Sequence, residues 1–503
     1  MFKKQPYIFL ILILLFSFLL RLVPALNGNF YFTMDQGRDA VYVREILSRH
    51  QLILHGPATS IEGVYEGPFW YYFLSFGYLL FQGHPFGGVF MLIILNVSLT
   101  AIIMIFLKNR FGLKPALITG LILQFSWGFY ETSRFAFNPF PLVFLALILI
   151  LFLIRFLEGD KNSLVWAVIP LGLALHSEVV ALIPFLLLYL LVFIWGTVKR
   201  KTSLFSLVPA LFLFCLFLTP TLISEFSNNF SQLNALRNYL LWPKAVTQKT
   251  NFTIFSSDIA GIIGQSIISA KPIVGFFIVL ALFIYNIGRA SNILVRRFTV
   301  LVAILLLTTW VWFGSSSGWR SWHTVYLEPV MFLAIILNFI SFKKPLSAFL
   351  ITFLFISQIL NFVPCYLTNY TNRTDQSLFI NEVKAIDWTY RESEGRGFSS
   401  YIYLPSVYEY PYQYLYWWYG LRQYGYLPCE YTAFPGHPSL FVPGLKHYLQ
   451  PKKACSELVF LIIEPDSDLG RREAWLSQVR RDSSLTKEVV IGKILVEKRK
   501  NRY

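Results

Sequence analysis

Long apolar runs alternate along the chain with short gaps in which the lysines and arginines gather. A bilayer's hydrocarbon core of about 30 Å takes roughly 20 apolar residues per helix. Runs of that kind recur at 7–26, 86–107, 115–132, 138–157, 163–176, 178–197, 204–224, 272–288, 298–314, 324–342 and 346–364. The pattern predicts a polytopic α-helical membrane protein of about eleven spans. The stretch 163–197 is interrupted by Pro170, His176, Ser177, Glu178 and Pro184. Its length fits two helices meeting in a tight outer hairpin at His176-Ser177-Glu178, a break that membrane helices tolerate where they line a cavity.

The gaps set the orientation. Lys3 and Lys4, Lys108/Arg110/Lys114, Arg155/Lys161, Lys199/Arg200/Lys201, Arg289/Arg296/Arg297 and Lys343/Lys344 fall in the N-terminus and alternate gaps, while the opposite short gaps hold little beyond Arg134 and Arg320. By the positive-inside rule the N-terminus is cytoplasmic, in a multi-pass protein of the plasma (inner) membrane. The loops 27–85 and 225–271 and the segment 365–503 then lie on the outer face. The first run carries no small-residue cleavage site and is longer than a signal-peptide core, so it is expected to remain as a span. With 55% hydrophobic, 18% aromatic and 14% charged residues the composition agrees, and the net charge of +16 reads as topology rather than nucleic-acid binding.

Two outer regions are more than connectors. In the loop 27–85, Ala40, Val43, Ile46 and Leu47 fall on one side of a helix that Asp35 would cap, and Phe69 to Phe81 reads as a second juxtamembrane helix. A third flat helix is expected over 254–268. Residues 1–364 thus form a transmembrane unit with a large first outer loop. Residues 365–503 form a small extracytoplasmic α/β domain with strands at 399–404, 457–463 and 488–496 and helices at 376–394, 410–424 and 470–481. Tyr408 to Tyr426 is dense in Tyr and Trp, which suits a core or an interfacial belt, or else a sugar-stacking platform. Cys429 and Cys455 are spaced so that they could pair in an oxidising compartment.

The ionisable residues at the outer ends of spans include Asp35, Arg38, Asp39, Glu66, Arg134, His176, Glu178, Arg320 and His323. Such groups are costly in a membrane and by default mark a site facing a cavity. An ionised aspartate can take the proton of an attacking hydroxyl, and Arg or His can neutralise charge growing on a phosphate leaving group. The chain has no nucleotide-binding fingerprint and no metal-ligand spacing; Asp35, Asp39 and Glu66 would hold a divalent metal only if they converged.

These residues carry a resemblance. Asp35-Gln36-Gly37-Arg38-Asp39-Ala40 just after the first span, Glu66-Gly67-Pro68-Phe69-Trp70-Tyr71-Tyr72 in the same loop, and Ser133-Arg134-Phe135-Ala136-Phe137-Asn138-Pro139 between the third and fourth spans are similar to a GT-C-fold glycosyltransferase. The nearest group is that of the protein O-mannosyltransferases and lipid A aminoarabinose transferases, often described in bacteria as dolichyl-phosphate-mannose-protein mannosyltransferases. The resemblance implies transfer of a monosaccharide, with inversion, from a polyprenyl-phosphate donor to a hydroxyl of a glycan, lipid or protein acceptor. It implies Asp35 as general base, with Asp39 and Glu66 as rivals, and Arg38 as its basic neighbour. Where aminoarabinose-type relatives carry Lys-Pro-Pro this chain has Glu66-Gly67-Pro68, which moves the donor-phosphate clamp onto Arg38, Arg134, His176, Arg320 and His323. Glu66, Trp70, Tyr71 and Glu178 are then candidates for substrate contact. The competing class is a transporter or flippase of lipid-linked sugars, which would commonly show duplicated halves; none are visible in the sequence.

Overall fold

The computed structural model describes residues 5–59, 61–241, 251–289, 292–315, 319–448 and 453–501. Lys3, Lys4 and part of the 225–271 loop lie outside them. Helix occupies every one of the predicted apolar stretches, beginning with α1 (Gln5–Leu26). Among the described residues eight helices are long and apolar enough to cross a membrane, and shorter apolar helices lie at Leu113–Leu123, Leu142–Leu157 and Asn162–Ala174. The helix Leu327–Ile340 is buried on every side, as a helix apolar all round should be, and packs at the centre of the bundle. By contrast Leu207–Ser227 carries Phe205, Val208, Leu211 and Phe212 beside and along it as exposed apolar surface, the kind a bilayer covers. The last apolar helix continues through Pro364 to Thr371.

The first long loop, 27–85, holds α2 (Met34–Arg49) and α3 (Phe69–Leu80). Thr33, not Asp35, caps α2: Thr33 and Gln36 close a capping box, with Asp35 left in the first turn where the helix dipole favours an anion. Nor does α2 lie free at the interface. Its residues from Gln36 to Val41 are buried between α3 and the short helix Tyr410–Leu415 of the C-terminal region. Gly37 permits this, because a Cβ there would overlap the backbone of Tyr410 and Pro411. By contrast α3 keeps Phe76, Leu79 and Leu80 exposed, and the third expected flat helix forms at Phe252–Gln265 with Phe255, Ile259 and Ile263 turned inward.

The C-terminal region is a mixed five-stranded sheet of order β2-β1-β3-β5-β4, with β1 (Gly397–Tyr403), β2 (Tyr431–Thr432), β3 (Cys455–Ile463), β4 (Ser483–Ile491) and β5 (Ile494–Asn501). The first three run parallel, and β5 is antiparallel to β3 and β4. The stretch 488–496, expected as one strand, is a hairpin. Gly492 at φ +60° makes the reversal, and the apolar run continues on both sides of it, so alternation alone hides the turn. Helices Phe379–Ser393 and Leu469–Val479 flank the sheet, and the aromatic-rich segment runs as helix from Tyr410 to Tyr424 with a π-turn at Tyr416–Gly420. A disulfide joins Cys429 and Cys455, whose Cα atoms are 5.9 Å apart.

One apolar core runs through both regions. Phe30, Phe32, Tyr71 and Leu74 from the first loop pack with Tyr412, Tyr414, Leu415 and Phe460 from the C-terminal region. Backbone bonds add to it: Phe32 N–H donates to Ser377 O at 2.9 Å and Phe379 N–H to Phe30 O at 3.0 Å.

Candidate active site

A cavity of about 930 Å³ opens where the bundle, the first loop and the C-terminal region meet. Asp35, Arg38, Glu66, Tyr71, Glu178, Arg320 and His323 line it, drawn from four separate stretches of chain.

On the α2 side, Arg38 is the hinge of a three-residue array. Its Nη1 donates to Asp35 at 2.8 Å, while Nε and Nη2 both donate to Oδ1 of Asp39 at 3.0 and 2.8 Å. The two carboxylates differ sharply in access: the Asp35 side chain is 34% exposed and the Asp39 side chain 1%. Trp70 Nε1–H donates to the other Asp39 oxygen at 2.7 Å. Burial pushes the Asp39 carboxyl up to about 6, against the downward pull of Arg38 and the Trp70 N–H. Burial acts to lower Arg38 as well, but the adjacent carboxylates outweigh it and hold its proton firmly. Asp39 and Trp70 do not line the cavity; they anchor Arg38 from behind. With two carboxylates already on it, Arg38 has little net charge to offer an incoming phosphate.

Facing α2 is the hairpin at 176–178, formed as the sequence indicated between helices ending at Ala174 and starting at Val179. Glu178 is buried at its tip, and Glu66 reaches the same spot, accepting Val179 N–H at 2.9 Å. Burial, and for Glu66 the nearness of Glu178, push these carboxyls above the ordinary range, so the pair holds a proton more readily than free glutamates do. Sequence reading treats them as separate polar groups; their proximity was hidden because more than a hundred residues lie between them. His176 at the same hairpin is turned away. Its Nε2 lies 3.0 Å from Phe217 O, and its Nδ1 accepts Phe69 N–H at 3.4 Å. Gly67 explains the approach: a Cβ at that position would fall on Nδ1 of His176.

The third wall is the segment before Leu327–Ile340. Arg320 is exposed and has no carboxylate partner among the described residues. His323 Nδ1 accepts the Arg320 backbone N–H at 3.2 Å, so a neutral ring carries its proton on Nε2, which lies 4.0 Å from Glu178.

Arg134 lies outside this cavity. It occupies a narrow crevice with Arg21 and Tyr130, donates to Asn369 Oδ1 at 3.1 Å and stands over the Tyr31 ring. The motif it belongs to reaches the cavity through Phe137, Asn138 and Pro139 instead. Asn138 exchanges hydrogen bonds with Ser177 through both side chains, so it fastens the hairpin that presents Glu178. Gln36 donates to Ala136 O at 2.9 Å and fixes α2 to the same loop. Among the described residues no group of His, Cys, Asp or Glu is arranged to hold a metal ion, and Asp35, Asp39 and Glu66 do not converge into one.

This architecture is similar to two crystal structures of ArnT from Cupriavidus metallidurans. One is bound to undecaprenyl phosphate (TM-score 0.59) and one is in the apo state (TM-score 0.60); each is 12% identical, with 97% of both chains covered. The chain has the GT-C fold. Residues 65–223 also match the sequence model of the family described as dolichyl-phosphate-mannose-protein mannosyltransferase. That stretch includes Glu66, Arg134, His176 and Glu178, and leaves out Asp35, Arg38 and Arg320. No curated protein sequence matches the chain significantly. The fold is thus shared with very little sequence in common.

Proposed function

We propose that this GT-C protein is a membrane glycosyltransferase that moves a monosaccharide from a polyprenyl-phosphate donor to an acceptor hydroxyl on the outer face of the plasma membrane, with inversion. The observation that carries the reading is the difference between the two aspartates of α2: Asp35 opens on the cavity beside a fixed guanidinium, and Asp39 is sealed behind it. In the reaction the acceptor O–H gives its proton to Asp35 as its oxygen attacks the anomeric carbon. The bond from that carbon to the phosphate oxygen breaks on the opposite side, and the electron pair leaves with the phosphate. Arg320, cationic and without a carboxylate partner among the described residues, takes up the charge that grows there. Arg38 holds the Asp35 carboxylate in place, and the Glu66–Glu178 pair is positioned to bind sugar hydroxyls. The family match over 65–223 and the likeness to a structure bound to undecaprenyl phosphate support the donor class.

The test is reconstitution of the purified full chain in liposomes with radiolabelled polyprenyl-phosphate sugars. Acceptor-dependent release of polyprenyl phosphate, lost in Asp35→Asn, is the expected result. Movement of intact donor across the bilayer without sugar transfer would instead identify a flippase and overturn the reading.

A further inference from the structure

Resting on that reading, the aromatic part of the cavity wall has a chemistry of its own. It is built from Tyr42 on α2, Tyr65 in the first loop, and Tyr408, Tyr410 and Phe441 from the C-terminal region. The rings form two clusters on this wall, one on the C-terminal region and one on the first loop. Tyr408 and Tyr410 each meet Phe441 edge to face, with centroids 5.0 and 4.9 Å apart, and Tyr42 stacks on Tyr71 at 4.9 Å. Two of them are far from buried: Tyr408 is 47% exposed and Tyr65 39%. Most of the Tyr408–Tyr426 cluster, including Tyr412, Tyr414 and Tyr416, is core. Only its first turn reaches the cavity.

The backbone carries a second sign. Val407, next to Tyr408, sits at φ +70°. A β-branched residue enters that region only under strain. At 55% exposure, packing of its own side chain does not account for the conformation. Such strain is characteristic of functional sites, and here it accompanies the exposure of the Tyr408 ring.

We infer that this aromatic wall is the acceptor subsite, and that the acceptor it takes is a carbohydrate, a pyranose-containing glycan whose hydroxyl is presented to Asp35. Exposed tyrosine faces suit the C–H faces of a sugar ring, and their hydroxyls, with the carboxyls of Glu66 and Glu178, suit its O–H groups. A volume of about 930 Å³ lies at the upper end of ordinary ligand sites and has room for more than one sugar unit. An extended peptide is commonly read through the free edge of a sheet, and no residue of the five strands lines the cavity. An acyl chain would leave the tyrosine hydroxyls of the wall unsolvated.

The experiment uses the full-length protein in detergent or nanodiscs, without donor, and saturation-transfer NMR with maltotriose, chitotriose and a serine/threonine heptapeptide as probes. Binding of at least one trisaccharide through its ring C–H protons is expected. Tyr408→Ala should weaken it at least tenfold and Tyr408→Phe, which keeps the ring, less than threefold. Folding of each variant is verified by an unchanged melting temperature. Binding of the peptide alone, binding of no probe, or sugar binding indifferent to Tyr408→Ala overturns the assignment. Slow Asp35-dependent hydrolysis of the donor, measured in the same variants, reports on the transferase reading separately, so failure of one is distinguishable from failure of the other.

Discussion

The indole N–H of Trp70 donates to the buried carboxylate of Asp39 at 2.7 Å, while the other oxygen of that carboxylate holds Arg38. Two neighbouring acids on one helix are thereby held in different surroundings, and under the proposed function their substitutions should separate. Asp35→Asn is expected to lower kcat by about 10²–10⁴, the usual worth of a general base, with the melting temperature little changed. Asp39→Asn weakens a buried charge-assisted bond and should cost about 2–3 kcal/mol of stability. Trp70→Phe, which leaves an Asp39 oxygen without its donor, should cost about 1–3 kcal/mol. Paired kinetics and thermal melts read both effects; a stable Asp39→Asn protein with activity as low as that of Asp35→Asn would reverse the assignment.

Arg320 should show itself in donor affinity and in the chemical step. Arg320→Gln removes a cation that can make charge-assisted bonds to phosphate, each worth about 1.5–3 kcal/mol, so kcat/KM for the donor should fall roughly 10- to 100-fold. Arg134→Gln, outside the cavity, should leave kcat/KM within about threefold while lowering stability, since a buried cation loses its place over Tyr31.

The pH dependence follows from the raised carboxyls of Asp39, Glu66 and Glu178. Each binds its proton more tightly in the folded chain than in the unfolded one. Between the ordinary glutamate range and neutrality the folded state therefore carries more protons, and stability falls as pH rises. Thermal melts from pH 5 to pH 8 should show a declining melting temperature, with a shallower slope in the Glu66→Gln/Glu178→Gln double variant. A slope equal to wild type in that variant would dissociate the pair from the effect.

Gly67→Ala forces a methyl group onto the His176 ring. Overpacking of this kind costs about 1–3 kcal/mol. His176→Ala alone should also destabilise, but the double variant should be more stable than the sum of the two, a coupling that a double-mutant cycle measures.

The membrane architecture was legible in the chain because burial in hydrocarbon demands long apolar runs, and helix occupies each of the runs. The 176–178 hairpin was equally legible, since His176-Ser177-Glu178 has no place within an apolar helix. The helix α2 was misread because its charges look solvated in one dimension. In three, Arg44 lies over the Tyr448 ring at 3.6 Å and donates to Pro443 O, partners about 400 residues away that no local pattern discloses. For the same reason Arg134, His176 and Arg320 looked alike as outer-end cations, yet only Arg320 borders the cavity. The identity of a residue announces what it can do; which wall it joins is decided by tertiary packing.

The close approach of Pro411 to Gly37 bears on how the molecule can be cut. Because α2 is clad on one flank by the C-terminal region, a chain ended after its last apolar helix would strand Tyr412, Tyr414 and Phe460's counterparts in water and unroof the very turn that bears Asp35. The C-terminal segment is better regarded as half of the vessel than as its lid.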